Sequence, residues 1–176
     1  MGTIGSANKI VGQLCDGFAP MLTTILHDKA SEAEVCIREQ LSSGQDGDGR
    51  LLRPTYLEDP WFNSPEAGSW RGGADRYMAW KREITPPYDS SWLGIPRRPV
   101  DTPNLFIDGT FHRSIRAMPV DKGVRISSQH CEFAPELEMK YGKNIYKMGW
   151  WSKKYFVEQY IRRGIEDYFK RFSVKK

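Results

Sequence analysis

At 176 residues and 20.3 kDa the chain has room for one hydrophobic core, and 39% hydrophobic against 27% charged residues fits neither a disordered polyelectrolyte nor a membrane-embedded protein. A formal charge of +4, from 26 Lys and Arg against 22 Asp and Glu, falls short of the density of a dedicated nucleic-acid binder. The unusual part of the composition is 8 Phe, 8 Tyr and 6 Trp alongside 11 Pro.

Cys15, Cys36 and Cys131 are widely spaced and form no CxxC pair, which points to reduced thiols rather than a disulfide framework or a zinc site. The N-terminus shows no basic and apolar export pattern, and no stretch is long and apolar enough to span a membrane. These features predict a protein made and kept in the cytoplasm.

From Pro20 to Ser43, Leu22, Ile25, Leu26, Ala33, Cys36, Ile37 and Leu41 recur at steps of three and four, predicting an amphipathic helix with Pro20 in its first turn. A weaker helical stretch spans about Ser6 to Phe18, interrupted by Gly12 and Gly17, and the two can join as one broken helix. In the loop Gly44 to Gly49, Asp46 and Asp48 alternate as in a calcium site. Arg50 and Leu57 stand where further oxygen ligands would be needed, so a plain turn is expected.

Residues 54–103 carry eight prolines and four tryptophans. Proline at this density removes backbone donors, which predicts a mostly irregular arm with room for one short helix near Gly73 to Glu83. Trp61, Phe62, Trp70, Trp80, Tyr88 and Trp92 are too apolar for a free linker. Two readings stand side by side: an arm folded back on its own core, and an arm laid over a neighbouring subunit.

Beyond the arm, Ile115, Ala117, Val124 and Ile126 alternate with polar residues about the turn Asp121, Lys122, Gly123, predicting a β-hairpin. A short helix near Pro135 should close at Gly142. A final helix, N-capped by Ser152, should run to the C-terminus with Phe156, Val157, Tyr160, Ile161, Gly164, Ile165, Tyr168, Phe169 and Phe172 on a broad apolar face. Charge is uneven: Glu136 to Lys176 holds 11 Lys and Arg against 5 Asp and Glu, while the preceding residues hold 15 against 17. Part of the basic excess also suits the negative end of the last helix.

No nucleophile motif, phosphate loop, dinucleotide loop or zinc-protease motif is present, and His130 and Cys131, adjacent in sequence, would point to opposite sides of a strand. The sequence therefore predicts a non-enzyme with no metal or cofactor. The basic quarter with Tyr141, Tyr146, Trp150, Trp151 and Tyr155 leaves open a free double-stranded DNA-binding or regulatory protein.

The segment DTPNLFIDGTFHRSI, in which an aspartate, a glycine, an aromatic and a Ser-Ile pair enter a strand, resembles the tail-completion and head-tail connector (neck) family of minor bacteriophage virion proteins. The order of parts is similar over about residues 20–172: amphipathic helix, Gly-Asp turn, proline-rich arm, hairpin, short helix ending at Tyr141-Gly142, and terminal helix. The resemblance implies a single-domain α+β fold, residues 1–176, with N- and C-terminal helices packed on a small antiparallel sheet. It further implies a homo-oligomeric ring in the neck or tail of a virion, in contact with other neck, portal or tail proteins and non-specifically with packaged DNA. An accessory capsid or tail protein outside the neck is the alternative within the structural class. On this reading Trp61, Phe62, Trp70, Trp80 and Trp92 are candidates for subunit interfaces. Lys153, Lys154, Arg162 and Arg163 are candidates to face the channel or an acidic neighbour.

Overall fold

The computed structural model describes residues 4–85 and 91–172; Tyr88, Lys175 and Lys176 lie outside them. The fold is α+β. In chain order, α1 (Ile4–Asp28) and α2 (Ala30–Ser42) precede the arm, which contains α3 (Ala74–Ile84). Then come α4 (Thr110–Ser114), β1 (Ile115–Val120), β2 (Gly123–Ser128), α5 (Ala134–Tyr141), α6 (Trp150–Phe156) and α7 (Arg162–Lys170).

The two N-terminal helices divide elsewhere than the sequence predicts. α1 runs straight through Pro20, and the chain bends at Lys29 rather than at Gly17. Pro20 costs the Asp16 carbonyl its helical donor, which is tolerable because Pro20 faces outward. Helical hydrogen bonds carry across the junction, where Lys29 leaves the helical region at φ −108°: the Lys29 N–H donates to the Ile25 carbonyl at 3.0 Å, and the Lys29 carbonyl accepts from Ala33 at 3.2 Å. At this corner His27 Nε2 lies 2.9 Å from the Val120 carbonyl and 3.0 Å from that of Gly123, so the end of α1 is pinned to the hairpin turn.

α2 is the hub. Ile37 and Leu41 enter one core with Leu52, Phe111, Ile115, Ala134, Ile145 and Tyr146, while Ala33 and Cys36 enter a second with Leu93, Ile95, Phe156 and Ile161. Between them Gln40 is buried with its hydrogen-bonding capacity in use. Its Nε2 donates to the Lys147 carbonyl at 3.0 Å, and its Oε1 accepts from Gly149 N–H at 2.7 Å and Ser152 Oγ at 2.9 Å. Ser152 is therefore not an N-cap. The helix starts earlier, with Gly149 at its cap position, and Ser152 serves the Gln40 network from inside the first turn.

The hairpin has the predicted turn, with Ala117 opposite Ile126 and Val120 opposite Gly123. α2 covers the free edge of β1: Glu34 Oε1 accepts from Ala117 N–H at 2.9 Å, and Arg38 donates to the Ile115 carbonyl at 3.0 Å while paired with Glu34 at 2.7 Å. Pro119, with no N–H to expose, finishes that edge.

The terminal helix is interrupted. A π turn at Val157–Ile161 separates α6 from α7, so the buried residues step from Phe156 to Ile161, five positions rather than four. This splits the broad apolar face expected from the sequence and leaves Val157 and Phe169 exposed. α7 then lies close on α1. A Cβ on Gly17 would stand 2.4 Å from the Tyr168 hydroxyl, one on Gly164 would stand 2.4 Å from Ile25 Cδ1, and the Tyr168 hydroxyl donates to the Leu14 carbonyl at 2.8 Å.

Candidate functional site

The motif Asp108 to Ile115 does structural work at the centre of the fold. Asp108 accepts from Thr110 through its N–H at 2.9 Å and its hydroxyl at 2.8 Å, which holds the carboxyl below the usual range. Gly109 takes the left-handed conformation, φ 82°, that lets α4 begin at once. Phe111 and Ile115 then drop into the first core, and Ser114 Oγ links the Phe111 carbonyl, at 2.7 Å, to Ser128 Oγ, at 2.6 Å. His112 is buried with Nε2 at 2.9 Å from the Asn104 carbonyl. Burial, with Lys81 and Arg38 nearby, pushes its pKa down to about 4 despite that bond.

The arm is more ordered than its proline content suggests. Pro60 and Pro65 each open a 3-10 turn, and α3 lies where the short helix is predicted. Tyr77 sits at the middle of an aromatic cluster, with ring centroids of Tyr56, Phe62, Trp70 and Trp80 all 5.1–5.3 Å away. These rings wall a cleft of about 620 Å³ completed by Leu105, Phe106, Phe111 and Tyr141. Asp59 ties the arm to α5 by an ion pair with Lys140, and Lys81, buried below the rings, donates to the Phe106 carbonyl. Burial, with Arg98 adding repulsion, draws Lys81 down to about 7.

Of the interface candidates, Phe62 is 4% exposed and has almost no surface to offer a neighbour. Trp61, Trp70 and Trp80 are half-buried in the chain's own cluster. Trp92 differs: it is 49% exposed, its backbone N–H donates to Glu39 Oε1 at 3.2 Å, and its ring stands edge-on to that of Tyr155 at 4.7 Å. Along α6, Trp151 lies beside Gly94, and its ring is 4.6 Å from that of Trp150, which is 60% exposed and carries Lys154 Nζ 5.2 Å above it. The two ring pairs, Trp92 with Tyr155 and Trp150 with Trp151, stand one helical turn apart along α6, since Trp151 and Tyr155 are four residues apart, and together make an aromatic ridge. The sequence does not announce it, because one of its rings, Trp92, comes from the arm and the other three from α6.

The four candidate cations are all exposed and differ in their surroundings. Lys154 covers Trp150, Arg162 pairs with Glu166 at 2.9 Å, and Lys153 borders a separate cleft of about 680 Å³ beside β2. Arg163 lies beyond the π turn on α7. Three further cations at that cleft, Arg125, Lys143 and Lys147, escape a sequence reading because they come from β2 and the turn after α5.

Cys36 is fully buried and its thiol is pushed up to about 11, chiefly by burial. His130 is exposed while Cys131 packs half-buried against the first core. Asp46 folds its carboxylate onto the N–H groups of Asp48 and Arg50, both at 2.9 Å, as a turn does. Among the described residues no group of three or more His, Cys, Asp or Glu side chains could hold a metal ion, and no helix is long and apolar enough to cross a membrane. Compared with family models, curated proteins and solved structures, the chain matches none.

Proposed function

We propose that the chain is a structural subunit that assembles into a homo-oligomeric ring in the neck or tail of a bacteriophage particle. The observation that carries this reading is the aromatic ridge of Trp92, Tyr155, Trp151 and Trp150. Its two most exposed rings, Trp92 and Trp150, pack edge-on against Tyr155 and Trp151, which limits the side-chain entropy left to lose on contact. Trp and Tyr in such a setting are the residue types that dominate protein interfaces. Early in α1, Ile10 and Val11 are further exposed apolar residues. The order of parts around Asp108 to Ile115 supplies the neck and tail assignment.

Sedimentation velocity over a concentration series tests self-association. The wild-type chain should pass from the 20.3 kDa monomer to a discrete closed oligomer, and Trp92→Ala with Trp150→Ala should remain monomeric and folded. A wild-type chain that stays monomeric up to about 100 μM, well above the micromolar range of modest interfaces, would overturn it.

A further inference from the structure

We propose that the cleft beside β2 receives an extended acidic polypeptide segment, which adds to the sheet as a third strand. The two edges of the hairpin are treated differently. Ala117 turns its N–H away from β2 toward Glu34, so the pair Ala117 and Ile126 exchanges no ladder hydrogen bonds. By alternation the same holds for Pro119 and Val124. Val124 and Ile126 therefore aim N–H and C=O groups outward, away from β1, and among the described residues no hydrogen bond reaches them. Such an edge is a template for another strand unless it is blocked. β1 is blocked by Glu34, Arg38 and Pro119; β2 opens onto the cleft.

The surroundings of that edge select the occupant. The cleft is apolar at Leu26, Ile126, Met148 and Phe156, and is ringed by Arg125, Lys143, Lys147 and Lys153. Glu138 is the one carboxylate there, and it is engaged by the Tyr146 hydroxyl at 3.0 Å and by Lys143 at 4.0 Å. An extended strand projects alternate side chains to opposite faces. A segment alternating acidic and apolar residues would set carboxylates against the four cations and apolar groups against the floor. A nucleic acid would satisfy the cations but leave the backbone edge and the apolar floor unused, so a polypeptide fits better.

The probe is a fluorescein-labelled octapeptide alternating glutamate and valine, titrated into the full chain by fluorescence anisotropy at 150 mM salt, with amide exchange followed by NMR. Binding should protect the Val124 and Ile126 amides selectively. Lys147→Glu with Lys153→Glu should weaken it at least tenfold, and so should Val124→Pro, which removes an outward N–H without breaking the ladder. A peptide with lysine in place of glutamate should bind at least tenfold more weakly. The proposal is overturned if the acidic peptide does not bind, or binds without protecting those two amides. It is also overturned if the lysine peptide binds equally, if folded Val124→Pro binds as well as wild type, or if single-stranded DNA occupies the cleft and displaces the peptide. Should Val124→Pro fail to fold by circular dichroism, amide protection in the native chain decides.

Discussion

Gln40 shows how one buried side chain can hold three segments together. Its amide meets the Lys147 carbonyl, the Gly149 N–H and the Ser152 hydroxyl, so Gln40→Leu would preserve volume and strand three polar groups in the interior. Chemical denaturation should register a loss of about 2–4 kcal/mol. His112 gives the fold a pH dependence of definite sign. Its folded pKa, about 4, lies below the ordinary 6.5, so between these values the unfolded chain binds the extra proton. Stability from this group is complete above about pH 6.5 and is lost as pH falls toward 4, by on the order of 3 kcal/mol. Thermal midpoints measured across that window should fall with acid, and His112→Gln should flatten the slope. Glycines divide by what surrounds them. A Cβ on Gly47 would come within 2.7 Å of the Lys147 carbonyl and 2.8 Å of the Asn144 carbonyl, whereas one on Gly12 meets nothing. Gly47→Ala should cost about 1–3 kcal/mol, and Gly12→Ala should raise the thermal midpoint by removing up to about 1 kcal/mol of helix penalty.

At the scale of elements, the hairpin, α3 and α5 were legible because each depends on local signals: period-two alternation about a turn, or a proline and a glycine at the two helix ends. The bend at Lys29 was not legible, since His27 is drawn to carbonyls more than ninety residues away and Pro20 is the stronger local signal. Ser152 misled for a similar reason: a helix-starting residue by type, it is bound instead to Gln40 on α2. The π turn hides inside a pattern that reads as one helix, and only the five-residue step from Phe156 to Ile161 betrays it. The candidate site was half legible. The arm's tryptophans were visible as a group, but Phe62 serves the chain's own cluster and Trp92 gains its exposed setting only through Tyr155 on α6.

For the whole molecule, the arm is part of the fold. Leu93 and Ile95 belong to the second core, Phe62 and Met78 to the aromatic cluster about Tyr77, and Lys81 and Asp59 tie the arm to the body. Deleting residues 60–95 should therefore unfold the chain, seen as loss of the cooperative thermal transition, and such a deletion cannot serve to separate assembly from folding. Point changes on the ridge can. The proposed assignment as a ring subunit of a phage neck or tail is tested most directly by quantitative mass spectrometry of particles gradient-purified from the source of the chain. A neck or tail ring requires the chain at a fixed, small number of copies per particle, retained after high-salt washing. Absence from the particles, or trace amounts that wash away with salt, would contradict it.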